Sequence, residues 1–422
     1  TTALDGDDRQ RMDVISLAYE FGSAERWIDS GVVRSFWQQT EIDQYTLDER
    51  AAARTPVSID RLFSYDQEIR AIEMNLWKNF LGSRITHRAG IGVEYRDRRT
   101  EEFRDGLSTD LATGRQTNVL LGEVFPLRDF PISDTIETAA FIEDTMSIGE
   151  NWKIIAALRA DRYELNPAVD AMYLADYPDY DTIHLDESDL SPKLGVIYSI
   201  TPEVDAYVQY SHGFRAPPHS DANVSLELPV FRVRAVPNPY LESESSDGID
   251  IGLRWYGLRS TARISAFRTS YNNFIETKIN IGVDPVSGYV QFQSQNIEDT
   301  TIEGIEAGWN VRFGDLEQFV LDGSAFYARG DNEGTGRPVN SVGPAQAVVG
   351  ISWFSADETR ELRLKTTLAE AHDRVDESTG KLFKPAGYAV FDLYFTQKLG
   401  DNLVARAGLK NLADRTYWNW TD

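Results

Sequence analysis

Glu203-Val204-Asp205-Ala206-Tyr207-Val208-Gln209-Tyr210-Ser211 and its return, Gly248-Ile249-Asp250-Ile251-Gly252-Leu253-Arg254-Trp255, decide how this chain folds. In the first segment Val204, Ala206, Val208 and Tyr210 fall on one face of an extended chain, and Asp205, Tyr207, Gln209 and Ser211 fall on the other. In the second, Ile249, Ile251, Leu253 and Trp255 oppose Gly248, Asp250, Gly252 and Arg254. This is the period of a strand with one oily and one wet face, and the polar side holds too much charge and glycine for a packed core. Two such strands fit a soluble sandwich and a membrane barrel alike. The rest of the chain has to separate them.

Working outward, the same unit recurs as strand, short turn, strand, long loop. Met12 to Phe21 turns at Gly22-Ser23-Ala24-Glu25 into a strand reaching Gln38; Arg61 to Phe80 pairs with Arg84 to Arg96, and Ile136 to Ile148 with Trp152 to Tyr163. Pro192 to Ile200 leads into the opening segment. After it come Gly248 to Tyr256 with Ser260 to Phe274, Thr301 to Phe313 with Glu317 to Gly330, Ala345 to Trp353 with Glu361 to Glu370, and Tyr388 to Leu399, which turns at Gly400-Asp401 into Asn402 to Leu412. The count is about sixteen strands. One end of every hairpin is closed by a few residues, whereas loops at the other end reach about thirty. Outer-membrane barrels segregate short periplasmic turns from long external loops in this way, and a soluble sandwich has no reason to. Trp255, Tyr256, Trp309, Phe313, Trp353 and Phe354 gather near the short turns, where an interfacial aromatic girdle belongs. The fold expected is therefore an all-β, transmembrane antiparallel barrel. Its sheet must close, since lipid leaves no partner for an open edge.

Composition agrees. The 422 residues carry 67 Asp and Glu against 42 Lys and Arg, which argues against a nucleic-acid surface. With no cysteine there is neither a disulfide framework nor a thiolate site. No apolar run approaches a membrane helix; one of the longest, 347–354, contains Gly350 and Ser352. The opening Thr1-Thr2-Ala3-Leu4 is not a signal peptide. One closing strand after Asp422, and strands before Thr1, are expected to lie outside this sequence.

Between the two deciding strands runs an irregular loop with Phe214-Arg215-Ala216-Pro217 and Asn238-Pro239-Tyr240-Leu241. These resemble the paired FRAP and NPNL boxes of TonB-dependent haem and haemoglobin receptors of Gram-negative outer membranes, with Tyr240 in place of the second asparagine. The stretches 100–106 (TEEFRDG), 126–131 (PLRDFP) and 409–418 (LKNLADRTYW) are similar to the wider haemoglobin, transferrin and lactoferrin receptor group. That resemblance implies a 22-stranded barrel filled by an N-terminal plug, of which residues 1–422 would be the barrel portion without plug or TonB box. It also implies an outer-membrane importer of haem, with capture from a host haemoprotein as one route, driven by the TonB-ExbB-ExbD complex acting on the plug. Haem would be the transported ligand; no intrinsic cofactor is expected.

By the same resemblance His219, two residues past the first box, becomes the candidate axial ligand to haem iron; its bland reading is a solvated loop histidine. Imidazole suits iron. His212 is an alternative, though simple alternation puts it with Tyr210 on the lipid face and favours a rim role. His87, between Arg84 and Arg88, is read as lumen-facing and able to ligate from the plug side. His184 and His372 are expected to be solvated. Arg232 and Arg234, two apart on an extended chain, would share a side and could meet haem propionates or internal carboxylates. Arg215 is expected to fix the loop base. The clusters Asp176, Asp179, Asp181 and Asp186, Glu187, Asp189 lack a calcium-loop spacing, and no catalytic motif is present. A ferric-siderophore importer, a passive porin-like channel and a soluble adhesin remain as rival readings.

Overall fold

The computed structural model describes residues 3–22, 27–51, 54–297, 299–378, 380–400 and 402–420. Ser23-Ala24-Glu25 of the first expected turn, Asp401 of the last and the terminal Thr421-Asp422 lie outside the described residues. Sixteen of the 18 strands in the main sheet are long: β1 (Ala3–Gly22), β2 (Ser30–Arg50), β3 (Val57–Leu81), β4 (Ile85–Asp110), β5 (Ile132–Ile148), β6 (Trp152–Ala168), β7 (Leu185–Thr201), β8 (Val204–Arg215), β9 (Glu244–Tyr256), β10 (Ser260–Asn272), β11 (Thr300–Phe313), β12 (Phe319–Asn332), β13 (Gln346–Phe354), β14 (Arg360–Ala369), β15 (Tyr388–Lys398) and β16 (Val404–Leu409). Each pairs antiparallel with its sequence neighbour, the up-and-down order that short turns permit. Among the described residues β1 bonds only to β2 and β16 only to β15.

The faces point as the alternation requires. Ile249 and Ile251 are 55% and 52% exposed on the outer wall, whereas the alternate residues Asp250 and Arg254 turn to the lumen, where the Arg254 guanidinium lies 4.5 Å from the ring centroid of Tyr207. Lumen charges are paired within and across strands: Arg159 with Asp161 of its own strand and with Glu94, Arg96 with Glu137, Arg363 with Asp322. No helix among the described residues is long and apolar enough to cross a membrane.

Two expectations are corrected. Strands β1 to β4 run 20 to 26 residues, well past the ends read from the sequence. Above the bilayer both faces of the sheet are wet, so the amphipathic signal fades, but the backbone ladder continues. Ser260 to Phe274 is not one strand either. Asn273 adopts a positive φ of 54° and breaks it. Phe274–Val283 and Val290–Ile297 then form a separate hairpin, which pairs with Val233–Ala235 and through it with Glu227–Leu228 to make a four-stranded sheet outside the wall. The external loops have small cores of their own, one of Leu165, Ile183, Leu185 and Ala222, another of Leu120, Phe125 and Leu127.

Candidate functional site in the loop between β8 and β9

The ladder between β7 and β8 stops at Lys193 and Ser211, but β8 stays paired with β9 as far as Arg215 and Glu244. Freed on one side, the top of β8 folds over the lumen, and Tyr163 of the inner wall donates to the Pro217 carbonyl at 3.3 Å. The first box thus ends a wall strand and begins the loop. Pro217 is fully buried. Phe214 and Ala216 border a cavity of about 450 Å³ whose wall carries Glu94, Arg96, Glu137, Arg159 and Asp161.

The two boxes close on each other through a short buried relay. Arg215 faces the carboxylates of Asp221 at 3.4 Å and Glu244 at 3.7 Å, at the base of the loop. Asp221 accepts from Ser294 Oγ, and the Ser294 carbonyl accepts from Asn238 Nδ2 at 2.8 Å. The Asn238 N–H donates to the Ala222 carbonyl, and its Oδ1 accepts from Tyr240 N. Leu241 is buried behind it, and Pro239 is exposed. Tyr240, the departure from the family box, is 86% exposed and takes no part in this relay through its ring.

His219 opens the short helix His219–Ala222 between the boxes. It is not a free loop histidine. Its ring packs on Phe130 with centroids 4.8 Å apart. Burial, and then the nearby Arg98 charge, bring its pKa down to about 4, so the ring is neutral at pH 7. His212 is a rim residue, but its ring is turned from the lipid: it lies between Asp247 at 3.0 Å and Asp189 at 3.5 Å and borders the lumen cavity. The inward fold of β8 overrides the alternation there.

His87 is a correction. Odd positions of β4, Ile91 and Val93 among them, face outward, so His87 lies on the outer wall near the short turns, 2.7 Å from Asp144. The lumen position belongs to Arg88, which lies over Trp77. Plug-side ligation by His87 is therefore excluded by its face. Arg232 and Arg234 are a second correction. Arg232 has a φ of 52°, so the chain there is not extended. It donates to the Ser287 carbonyl, and Arg234 pairs with Asp284 at 2.9 Å over the Tyr289 ring. Both tie down the hairpin of the four-stranded sheet. His184 is exposed, but His372 is buried with its ring 4.2 Å from that of Trp420, because the loop after β14 folds back beneath the C-terminal segment.

Sequence reasoning missed Asp221, Asn223, Ser294 and Phe130. Asn223, fully buried, binds both Ile183 N and Ile183 O and so pins the loop between β6 and β7 to the box loop. The run of small and polar residues after His219 was the only hint. Phe130 lay inside one of the stretches that carry the resemblance, and that stretch meets another: the backbones of Arg104 and Leu127 exchange two 2.9 Å bonds, and Asp129 N donates to Glu102 Oε2.

Against known proteins, residues 1–412 match the family model described as TonB dependent receptor-like, beta-barrel. The haemoglobin-haptoglobin utilization protein B of Neisseria meningitidis serogroup A is 26% identical over 257 residues, 54% of this chain and 31% of that protein. The haemoglobin and haemoglobin-haptoglobin-binding protein A of Haemophilus influenzae is 27% identical over 234 residues, 50% of this chain and 21% of its own. The chain thus spans a third or less of these relatives. Among solved structures, the copper transporter OprC superposes with a TM-score of 0.72 at 18% identity, covering 99% of this chain and 61% of its own, and the ferric citrate transporter FecA with 0.68 at 18%, covering 97% and 58%. The outward aliphatic wall, the segregated turns and a family match over nearly every residue place this chain among the TonB-dependent receptor β-barrels of the Gram-negative outer membrane.

Proposed function

We propose that this barrel serves an importer of haem, taken from a haemoprotein by the external loops and released inward when TonB, with ExbB and ExbD, acts on a plug seated in the lumen. The observation that carries the reading is the hydrogen-bonded relay that joins the two boxes, with a neutral imidazole between them and a charged lumen cavity beneath. The names of the relatives, haemoglobin-binding proteins, support the same ligand. In this reading His219 is the axial ligand: a neutral ring beside an aromatic wall offers iron a nitrogen with no proton to expel. Release follows if the open and closed states differ in affinity for haem.

The test is a haem titration of the complete receptor followed by Soret absorbance, beside His219→Ala. A Soret shift in the parent that is lost in the variant, with affinity down tenfold or more, is the expected result; an unchanged spectrum and affinity removes His219 from the role. A second reading, a ferric-siderophore importer, is favoured by the packing of His219 against Phe130, which holds the ring away from open solvent. It predicts no Soret shift in the parent at all.

A further inference from the structure

The arginines of the lumen wall beneath the box loop are not equally engaged. Arg159 is hydrogen-bonded to Glu94 and Asp161, and Arg96 to Glu137 at 2.9 Å. Arg98 comes two residues further along β4 and on the same face. It meets only the other oxygen of Glu137, in a loose 3.3 Å contact, and makes no second ion pair among the described residues. Its Nε is shut off from solvent and finds no acceptor among the described residues. A donor in that state costs free energy that a matching acceptor would recover. Charge itself is balanced here, since Arg96, Arg98 and Arg159 face Glu94, Glu137 and Asp161. What is unfilled is hydrogen-bonding capacity.

Arg98 stands between the two features on which the functional reading depends. Its neighbours Arg96 and Glu137, with Tyr163, border the cavity of about 450 Å³, and its charge reaches His219 on the other side. Across the ladders it is flanked by Ile69 and Thr135, neither of them charged. Counting along β4 from Ile85 puts it roughly 30 Å above the short turns, clear of the apolar band and on the side from which a ligand enters through the external loops. The side chain is 29% exposed, and a fork held by one loose contact is free to turn to an incoming acceptor.

Resting on the haem reading, we propose that Arg98 selects the ligand by its acid arm: it takes a carboxylate of a dicarboxylate tetrapyrrole whose iron is on His219. The class follows from the donors and their surroundings. A guanidinium fork matches a carboxylate with two parallel bonds. Ile69 beside Arg98 and Phe130 beside His219 suit the flat apolar body that such a ligand carries between its iron and its acid arms. Arg232 and Arg234, the arginines that the sequence suggested for this role, are tied into the external hairpin, so the partner of the carboxylate passes to the lumen wall.

The complete receptor is titrated by Soret absorbance with haem and with haem dimethyl ester, which keeps the iron and loses both carboxylates. The parent is compared with Arg98→Gln, Arg98→Lys and Arg99→Gln, and heat-shifted electrophoretic mobility confirms that each is folded. Arg99, next in the chain, faces the outer side and pairs with Glu101 and Asp134, so it serves as the control. Expected is an ester bound about tenfold more weakly than haem by the parent and by Arg99→Gln. Arg98→Gln should weaken haem by about the same factor, leave the ester within about twofold, and keep the position of the Soret band because His219 is intact. Arg98→Lys keeps the charge beside Glu137 but loses the fork; it should weaken haem by about threefold and the ester not at all, and it carries the comparison if the glutamine variant does not fold. Equal affinity of the parent for acid and ester, or an equal loss of both in the Arg98 variants, gives Arg98 a structural role only and overturns the proposal while the haem reading stands. No Soret shift with either ligand in the parent removes the haem reading and the proposal together.

Discussion

Histidine in water is half protonated near pH 6.5, but His219 is held neutral well below that by burial and by the positive Arg98. Its folded pKa lies below its unfolded one, so the unfolded chain binds the extra proton first. The contribution of the neutral ring to stability is whole above pH 6.5 and drains away as pH falls toward about 4. Denaturation of the parent and of His219→Gln at pH 7.5 and pH 4.5 should show the parent losing more, by on the order of 2 kcal/mol; equal losses would mean the ring is solvated. For haem the same shift predicts a Soret band steady from pH 7.5 to 5. Asn223 tests a different kind of residue. Its amide replaces a strand partner for Ile183, donating to the carbonyl and accepting from the N–H at 3.0 and 2.6 Å. Asn223→Ala strands two buried backbone groups, at a cost of about 2–4 kcal/mol. The loss is local, so it should appear as faster proteolysis and amide exchange in residues 170–185, with barrel strands unchanged.

At the scale of elements, the two stretches 100–106 and 126–131 form a clasp between β4 and the loop that follows it. Glu102 stands roughly 40 Å above the short turns, clear of the apolar band. It is almost fully buried, and its Oε1 has no partner among the described residues, although Arg104 and Arg128 lie near. Burial, then the Asp129 charge, push its pKa above the ordinary carboxylate value. A raised carboxylate pKa penalises the folded state at high pH, and the penalty fades as pH falls toward the unfolded value. Glu102→Gln should therefore steady the clasp at pH 8, by about 1–2 kcal/mol, and make no difference near pH 4.5. Amide exchange of residues 118–131 at the two pH values reads this directly; an advantage that grows on acidification contradicts the assignment. The clasp also shows what was legible beforehand. Both halves stood out by resemblance, yet nothing in linear sequence says that Leu127 bonds to Arg104, since that pairing is set by where two loops meet. Wall strands were readable because lipid on one side and water on the other write a period of two into Ile249 to Trp255. Where both sides are wet, as along β2 beyond Gln38, the pattern disappears while the strand persists. His87 and His212 were misplaced for related reasons: the odd face of β4 points outward, and β8 bends inward above Ser211.

Over the whole molecule the distribution of polarity is that of a soluble protein turned inside out. Large aliphatics such as Ile249, Ile251, Leu253 and Ile305 are about half exposed on the outer wall, whereas the lumen holds paired arginines and carboxylates. In water such a wall would drive aggregation; in a bilayer it is the surface that hydrocarbon wets. Neighbouring residues of one strand therefore differ sharply in what they tolerate. Ile251 lies five residues from the end of β9, about 12 Å above the short turns and near the middle of the apolar band. Ile251→Arg should cost about 2–4 kcal/mol there, and Ile249→Arg, nearer the upper rim, distinctly less. Asp250→Asn, between them but facing the lumen, exposes no charge to lipid and should cost little beyond any loss of polar contacts. Folding of the three variants into lipid vesicles, followed by heat-shifted mobility against urea, ranks them. The order Ile251, Ile249, Asp250 is required by an outward apolar wall. If Asp250→Asn proved as damaging as Ile251→Arg, lipid could not be what the odd-numbered face of β9 meets.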